Sequence, residues 1–203
     1  MPHRVSEQKN KVAWLQKALE HQMQRLIVVP LNYSTTRNRI RKPAIIDVEA
    51  TGFHPHSYPI EVGVVTRDGQ RYSSLIKPYP NWEYWSEEAE AVHGISRQDL
   101  EKYGKRGKVV AEDLNRLLQN QTVYSDGWVV DKPWLIKLFD RARTPMNFWV
   151  SPLEMILTEQ MMACWSDAKL NVAKDFDGQR HRASTDALFI QKTFDCAAEL
   201  AGV

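Results

Sequence analysis

The period of apolar positions changes several times along the chain, and each change marks an element. From Ser6 to Val29, the residues Val12, Leu15, Leu19, Met23 and Leu26, with Trp14 and Ala18, recur at three- and four-residue spacing. That pattern predicts an amphipathic accessory helix ahead of the main fold. Its stripe can pack on its own domain or serve a homodimer or a protein partner, and spacing alone does not choose. Pro30 to Pro43 follows with turn formers and the cluster Arg37, Arg39, Arg41 and Lys42, the pattern of a basic linker. Residues 1–43 are therefore read apart from a domain spanning 44–203.

Within that domain the period shortens. Ala44-Ile45-Ile46 runs into Asp47-Val48-Glu49-Ala50-Thr51-Gly52 as a strand, and Ile60 to Val65 and Arg71 to Ile76 read as two more, joined through the hairpin signal Asp68-Gly69. Trp85 to Val92 predicts a helix stopped at His93-Gly94 by the glycine. Ser96 caps a short turn, Gly104 to Lys108 reads as a basic loop, and Val110 to Gln119 as a helix before the strand Thr122-Val123-Tyr124. Asp131 to Ala142 is predicted helical with Pro133 in its first turn, Phe148-Trp149-Val150 extended, and Pro152 to Ala163 and Thr185 to Ala201 helical. A meander followed by strand and helix in alternation predicts an α/β fold with a mixed sheet.

Composition narrows this picture without deciding function. With 203 residues, 43% hydrophobic and 26% charged, the chain has the balance of an ordinary globular domain, and its net charge of +2 advertises no strong overall field for nucleic acid. Cys164 and Cys196 lack metal-type spacing and are expected as packed, reduced thiols. No apolar run approaches the ~18 residues that span a membrane, and the start lacks a signal-peptide core, so the expected location is cytoplasmic.

The chemistry concentrates in acids placed where acids are costly. Side chains two apart on a strand share a face, so Asp47 and Glu49 project together from a segment whose other face, at Val48, belongs to the core. Two such anions repel unless a cation lies between them, and hard divalent cations accept all-oxygen shells. A bare D-x-E also fits an ordinary strand end with solvated acids. Thr51-Gly52 changes the weighting, because glycine permits a sharp exit and close approach of backbone to a ligand. Asp131 stands where a strand gives way to a helix, a position that suits either a functional carboxylate or a helix cap. His181 and Asp186 cannot share a helix face five residues apart, which puts the histidine on the loop before the last helix. The seven tryptophans, Trp82 and Trp85 among them, suit core packing or base stacking, and Lys105, Arg106 and Lys108 suit phosphate screening or simple solvation.

In order, these pieces resemble the DEDDh branch of the 3′-to-5′ exonucleases, the group that includes proofreading subunits and RNA-trimming enzymes. Asp47 to Gly52 stands as its D-x-E-x-T-G motif, Asp131-Lys132-Pro133-Trp134-Leu135 as the second, His181 to Asp186 as H-x-x-x-x-D, and His93-Gly94-Ile95 as a family-like H-G-I segment. The resemblance covers about residues 44 to 195. It implies a ribonuclease-H-like mixed five-stranded sheet and hydrolysis at nucleic-acid 3′ ends with Mg²⁺ or Mn²⁺, two ions per site. Asp47, Glu49, Asp131 and Asp186 would be the ligands and His181 the general base, histidine being the side chain that is readily neutral near physiological pH. Ala50, Thr51, Gly52, Phe53 and His93 would hold the last nucleotides. One departure is Asp126, which stands where the family often has Asn and so competes with Asp131. Loss of a ligand or of His181 would have pointed to a non-catalytic nucleic-acid-binding adaptor; all are present.

Overall fold

Alternation along the first strand sends Ile45 and Ile46 to opposite faces, and both are fully buried because helices cover the sheet on each side. The computed structural model describes residues 41–203, so the amphipathic segment Ser6 to Val29 and most of the basic linker lie outside the described residues. Strands β1 (Ile45–Ala50), β2 (Pro59–Val65) and β3 (Arg71–Lys77) form the expected antiparallel meander, with Asp47 opposite Gly63 and Glu49 opposite Glu61. Helices α1 (Glu87–His93) and α2 (Arg97–Tyr103) lead to β4 (Lys105–Arg106) and α3 (Gly107–Leu118). Then come β5 (Thr122–Ser125), α4 (Trp128–Ala142) and β6 (Trp149–Pro152). A 3-10 turn at Leu153–Ile156, α5 (Glu159–Ala163), α6 (Trp165–Lys174) and α7 (Ala183–Ala201) complete the chain.

The strand order is β4-β3-β2-β1-β5-β6, a mixed sheet of six strands where five were expected. The additional one is β4, two residues of the run read as a basic loop, paired through Ile76 with Lys105 and Lys77 with Arg106. Two residues carry no period, so no pattern announces them. Several helix boundaries also move. Ser86 accepts the Ala89 amide and caps α1 there, not at Trp85. Helix α4 starts at Trp128, which places Asp131 and Pro133 inside it instead of at its entry. The single helix expected over Pro152 to Ala163 is a strand end, a 3-10 turn and α5, while α6, exposed along most of its length, was not foreseen.

One core packs Ile46, Ile60, Val62 and Val64 against Leu114, Leu118, Leu135 and Leu138 of α3 and α4. The other packs Ile45 and Val65 against Ile190, Phe194 and Ala197 of α7, with Met161 and Ala168 from α5 and α6. Gln191, buried on α7, donates its amide to the Pro43 carbonyl at 2.7 Å and the Thr66 carbonyl at 2.9 Å, tying the helix to the end of the β1–β2 pair where β1 starts and β2 finishes. Among the described residues no helix is long and apolar enough to cross a membrane.

Two features aim this scaffold at one place. Strand β5 runs parallel to β1 but pairs with it only at Ile45 and Tyr124, so the strands part as β1 reaches its acids. This is where the sheet's connections reverse direction, the crevice in which open α/β sheets bind ligands. On the α7 face, Gly63 has no side chain, and the helix entry fills the space: a Cβ there would lie 2.0 Å from the Ser184 nitrogen and 2.1 Å from the Ala183 carbonyl carbon. Gly63→Ala is expected to lift α7 from β2 and to destabilise the protein by at least the ~1–3 kcal/mol typical of overpacking. Urea unfolding checks it, and an unchanged midpoint would contradict this packing.

Candidate active site

Because β1 alternates, Asp47 and Glu49 share the face on which α7 begins, and the contact over Gly63 brings Asp186 to them. One carboxylate oxygen from each of the three lies within 4.8 Å of the others. Asp186 sits in the first turn of α7 and accepts hydrogen bonds from Arg180 Nε at 2.5 Å and from the His181 backbone amide at 3.0 Å. Among the described residues no hydrogen-bond donor lies against the carboxylates of Asp47 or Glu49.

Asp131 approaches from the other side, through the gap between β1 and β5. It is buried in the first turn of α4 and accepts from Ser125 Oγ, at the end of β5, at 2.5 Å. It lies outside the group of three but not outside their field: after burial itself, the Asp131 charge does most to hold the Asp47 carboxyl well above the usual range, followed by Glu49 and Asp186. Burial, with Asp186 and Glu61 nearby, pushes Glu49 up to about 7. Burial raises Asp131 to about 7 as well, against the lowering effect of its bond to Ser125. The rival Asp126 is exposed and faces Lys169 at 3.4 Å.

His181 is exposed, on the loop before α7 as the spacing implied, with a backbone φ of 60° that non-glycine residues seldom adopt. The turn after β1 is fixed by its backbone. Buried Thr51 exchanges hydrogen bonds with Tyr58 and gives its carbonyl to the Ser86 amide, Gly52 takes a φ of 129°, and the half-buried Ala50 follows a register shift. Phe53 is consequently thrust into solvent, 87% exposed. His93 ends α1 in a buried position. Its Nδ1 accepts the Ile95 amide at 3.0 Å, so in the neutral ring Nε2 carries the proton, and that atom is buried without an acceptor among the described residues. Burial also holds its pKa below the ordinary value.

Other aromatic and basic candidates are accounted for by packing. Trp82 is a core residue stacked on Tyr58, and Trp85 donates to Glu90 at 2.6 Å beneath the Arg97 guanidinium. Lys105 pairs with Asp113 at 3.2 Å. The sequence reading missed Glu61 and Arg182. Glu61, on the same face as Glu49 and 1% exposed, takes both nitrogens of an Arg182 fork at 3.0 and 2.8 Å, the Ala183 amide at 3.0 Å and Ser73 Oγ at 3.0 Å. The signal was a lone acid inside the apolar run Ile60 to Val65, which calls for a buried cation.

A raised carboxyl pKa has a definite consequence for folding. For Glu49 the stabilisation relative to an ionised group is fully present below about pH 4.5, the ordinary value, and is lost as pH rises through about 7. In metal-free protein, Glu49→Gln should therefore match wild type near pH 5 and exceed it at pH 8, by on the order of 1–3 kcal/mol. Denaturant unfolding in chelator at the two pH values checks this; a variant less stable than wild type at pH 8 would contradict the crowding of the acids.

A family model described as Exonuclease matches residues 44–194. Among solved structures, Escherichia coli exonuclease I in complex with a dA16 oligonucleotide is similar with a TM-score of 0.59 at 14% identity; the match covers 77% of this chain and only 40% of that one. A 3′-exonuclease in a structure of 3′-end-specific recognition of a histone mRNA stem-loop is similar with a TM-score of 0.57 at 16% identity, covering 94% of this chain and 72% of the other. At such identities the likeness is one of fold. No curated protein matches the chain.

Proposed function

The chain belongs to the exonuclease family, and we propose that it removes nucleotides from the 3′ end of single-stranded DNA or RNA by metal-dependent hydrolysis. The observation that carries this reading is the trio Asp47, Glu49 and Asp186 with ligand oxygens within 4.8 Å, backed by Asp131. The donor set is all carboxylate oxygen, which fits hard cations such as Mg²⁺ or Mn²⁺, and no Cys/His set among the described residues argues for zinc. The raised carboxyls of Asp47 and Glu49, without protein donors among the described residues, fit a site completed by external positive charge. Asp47 would be shared by two ions, Glu49 and Asp186 would complete one and Asp131 would help hold the other. Two bound ions supply stabilisation of the attacking and leaving oxygens of a phosphodiester.

The remaining steps belong to side chains. His181, exposed and with its backbone amide bound to Asp186, would take the proton of the attacking water. Phe53 would stack on a base, while Ala50, Thr51 and Gly52 present backbone to the last nucleotides. His93 would give its free Nε2 proton to a nucleotide oxygen. Both DNA and RNA offer the phosphate these groups address, and contacts near the 2′ position would decide between them.

A 5′-labelled single-stranded oligonucleotide incubated with Mg²⁺ or Mn²⁺ should shorten progressively from its 3′ end, be protected by a 3′-phosphate and remain intact in chelator. Cleavage within a circular single strand, or no cleavage of either DNA or RNA, would refute the proposal. His181→Ala should bind Mn²⁺ with wild-type affinity by calorimetry yet lose roughly 10²- to 10⁴-fold in single-turnover rate, the range a general base supplies. Asp131→Asn should cost more metal-dependent activity than Asp126→Asn does; the reverse order would transfer the ligand role to Asp126.

A further inference from the structure

Arg180 is unlike the other cations near the carboxylates. Arg182 is committed to Glu61 through both its fork nitrogens, and Lys169 faces Asp126. Arg180 uses only Nε, on Asp186 Oδ1 at 2.5 Å, and among the described residues its two terminal nitrogens have no acceptor. The side chain is half exposed but not loose. Its guanidinium carbon lies 4.0 Å from the centroid of the Phe189 ring, and Phe189 is buried and braced edge-on by Phe176 at 5.0 Å. The loop beneath is equally constrained: at Gly178 a Cβ would lie 2.5 Å from both Phe176 Cε1 and Thr185 Cγ2, so the chain closes tightly over the first turn of α7 just before Arg180.

We propose that Arg180 is a substrate-binding residue, its terminal nitrogens taking a non-bridging oxygen of a phosphate near the 3′ end while Nε keeps Asp186 in place. This rests on the exonuclease reading of the same site. The argument is one of charge and position. The phosphate must enter beside four carboxylates that repel it, and a planar guanidinium with two parallel open N–H groups matches phosphate oxygens better than an ammonium does. Asp186 contributes to the 4.8 Å cluster, and Arg180 touches that same carboxylate, so its free nitrogens border the volume the reacting phosphate occupies.

The test compares Arg180→Gln and Arg180→Lys with wild type in the full chain, using steady-state cleavage of a 5′-labelled oligonucleotide at several salt concentrations and Mn²⁺ calorimetry without nucleic acid. Arg180→Gln should raise KM roughly 10- to 100-fold, the equivalent of one charge-assisted hydrogen bond, with kcat and Mn²⁺ affinity changed only a few-fold. The dependence of log KM on log salt should flatten by about 0.7, as loss of one phosphate contact to a single strand requires. Arg180→Lys should keep that salt slope and recover part of KM. Unchanged KM and salt slope in an active Arg180→Gln, or losses confined to kcat and Mn²⁺ affinity, would overturn the assignment and leave Arg180 a positioning residue for Asp186. A wild type that cleaves no oligonucleotide would instead overturn the exonuclease reading beneath it.

Discussion

Like charges confined to a small volume are the constraint around which this molecule is arranged. Asp47, Glu49 and Asp186 present oxygens within 4.8 Å of one another, with Asp131, Asp126 and Glu61 close behind. At that distance a pair of full charges repels by about 3 kcal/mol even at an effective dielectric near 20. The fold answers by giving the outer acids internal partners: Arg182 and the Ala183 amide for Glu61, Lys169 for Asp126, Ser125 for Asp131, Arg180 and the His181 amide for Asp186. Asp47 and Glu49 receive none among the described residues, and their carboxyls are held above the usual range. The charge left uncompensated is thus localised on the two side chains that a metal would address first.

The same compensation builds the scaffold. Helix α7 has no side-chain cap of its own, since Arg182 occupies the N-cap position without making that bond. Glu61 supplies the acceptor from β2 instead, taking the Ala183 amide and the Arg182 fork together. A carboxylate at a helix start is favoured by the partial positive charge there, and here it also joins the helix to the strand it must lie against. Gly63, two residues along β2 and on the same face as Glu61, removes the side chain that would keep the helix away. A buried ion pair is weak evidence for stability in general, but this one fixes the position of an element that carries both Asp186 and the His181 loop.

What the sequence disclosed and what it withheld divide along the same line. The apolar runs of β1 and β2, covered on both faces, and the helical periods of α3 and α7 are local signals, so local pattern sufficed for their existence. Elements held by other means were invisible or misplaced: β4 exists through two backbone pairings, α6 is exposed along most of its length and buries only Ala168, and α4 begins three residues before Asp131 because the turn at Gly127 can supply the helix start. Motif spacing singled out Asp47, Glu49, Asp131, His181 and Asp186, and the fold brings Asp47, Glu49 and Asp186 together. Glu61, Arg182, Gly63 and Ser125 escaped it. Their roles are pairwise, across separations of up to 122 residues for Glu61 and Ala183, and a pairwise role leaves no periodic trace.

The backbone amide of His181 shows how closely ligand and base are coupled. Holding a non-glycine residue at φ 60° costs on the order of 1 kcal/mol, and the strain persists because the amide of that residue is bound to Asp186 Oδ2. Arg180 occupies the other oxygen of the same carboxylate. One side chain therefore orients the loop before α7 from both sides, and any rotation of Asp186 would shift the His181 backbone and the Arg180 guanidinium bound to it. Asp186, the His181 loop and Arg180 form a single mechanical unit, anchored to the sheet at the start of α7 by Glu61, by the Arg71 bonds to Ser184 and Thr185 and by the space at Gly63. That coupling explains why the acids can be crowded at all: the segment bringing the third carboxylate also brings the cation that makes its approach tolerable.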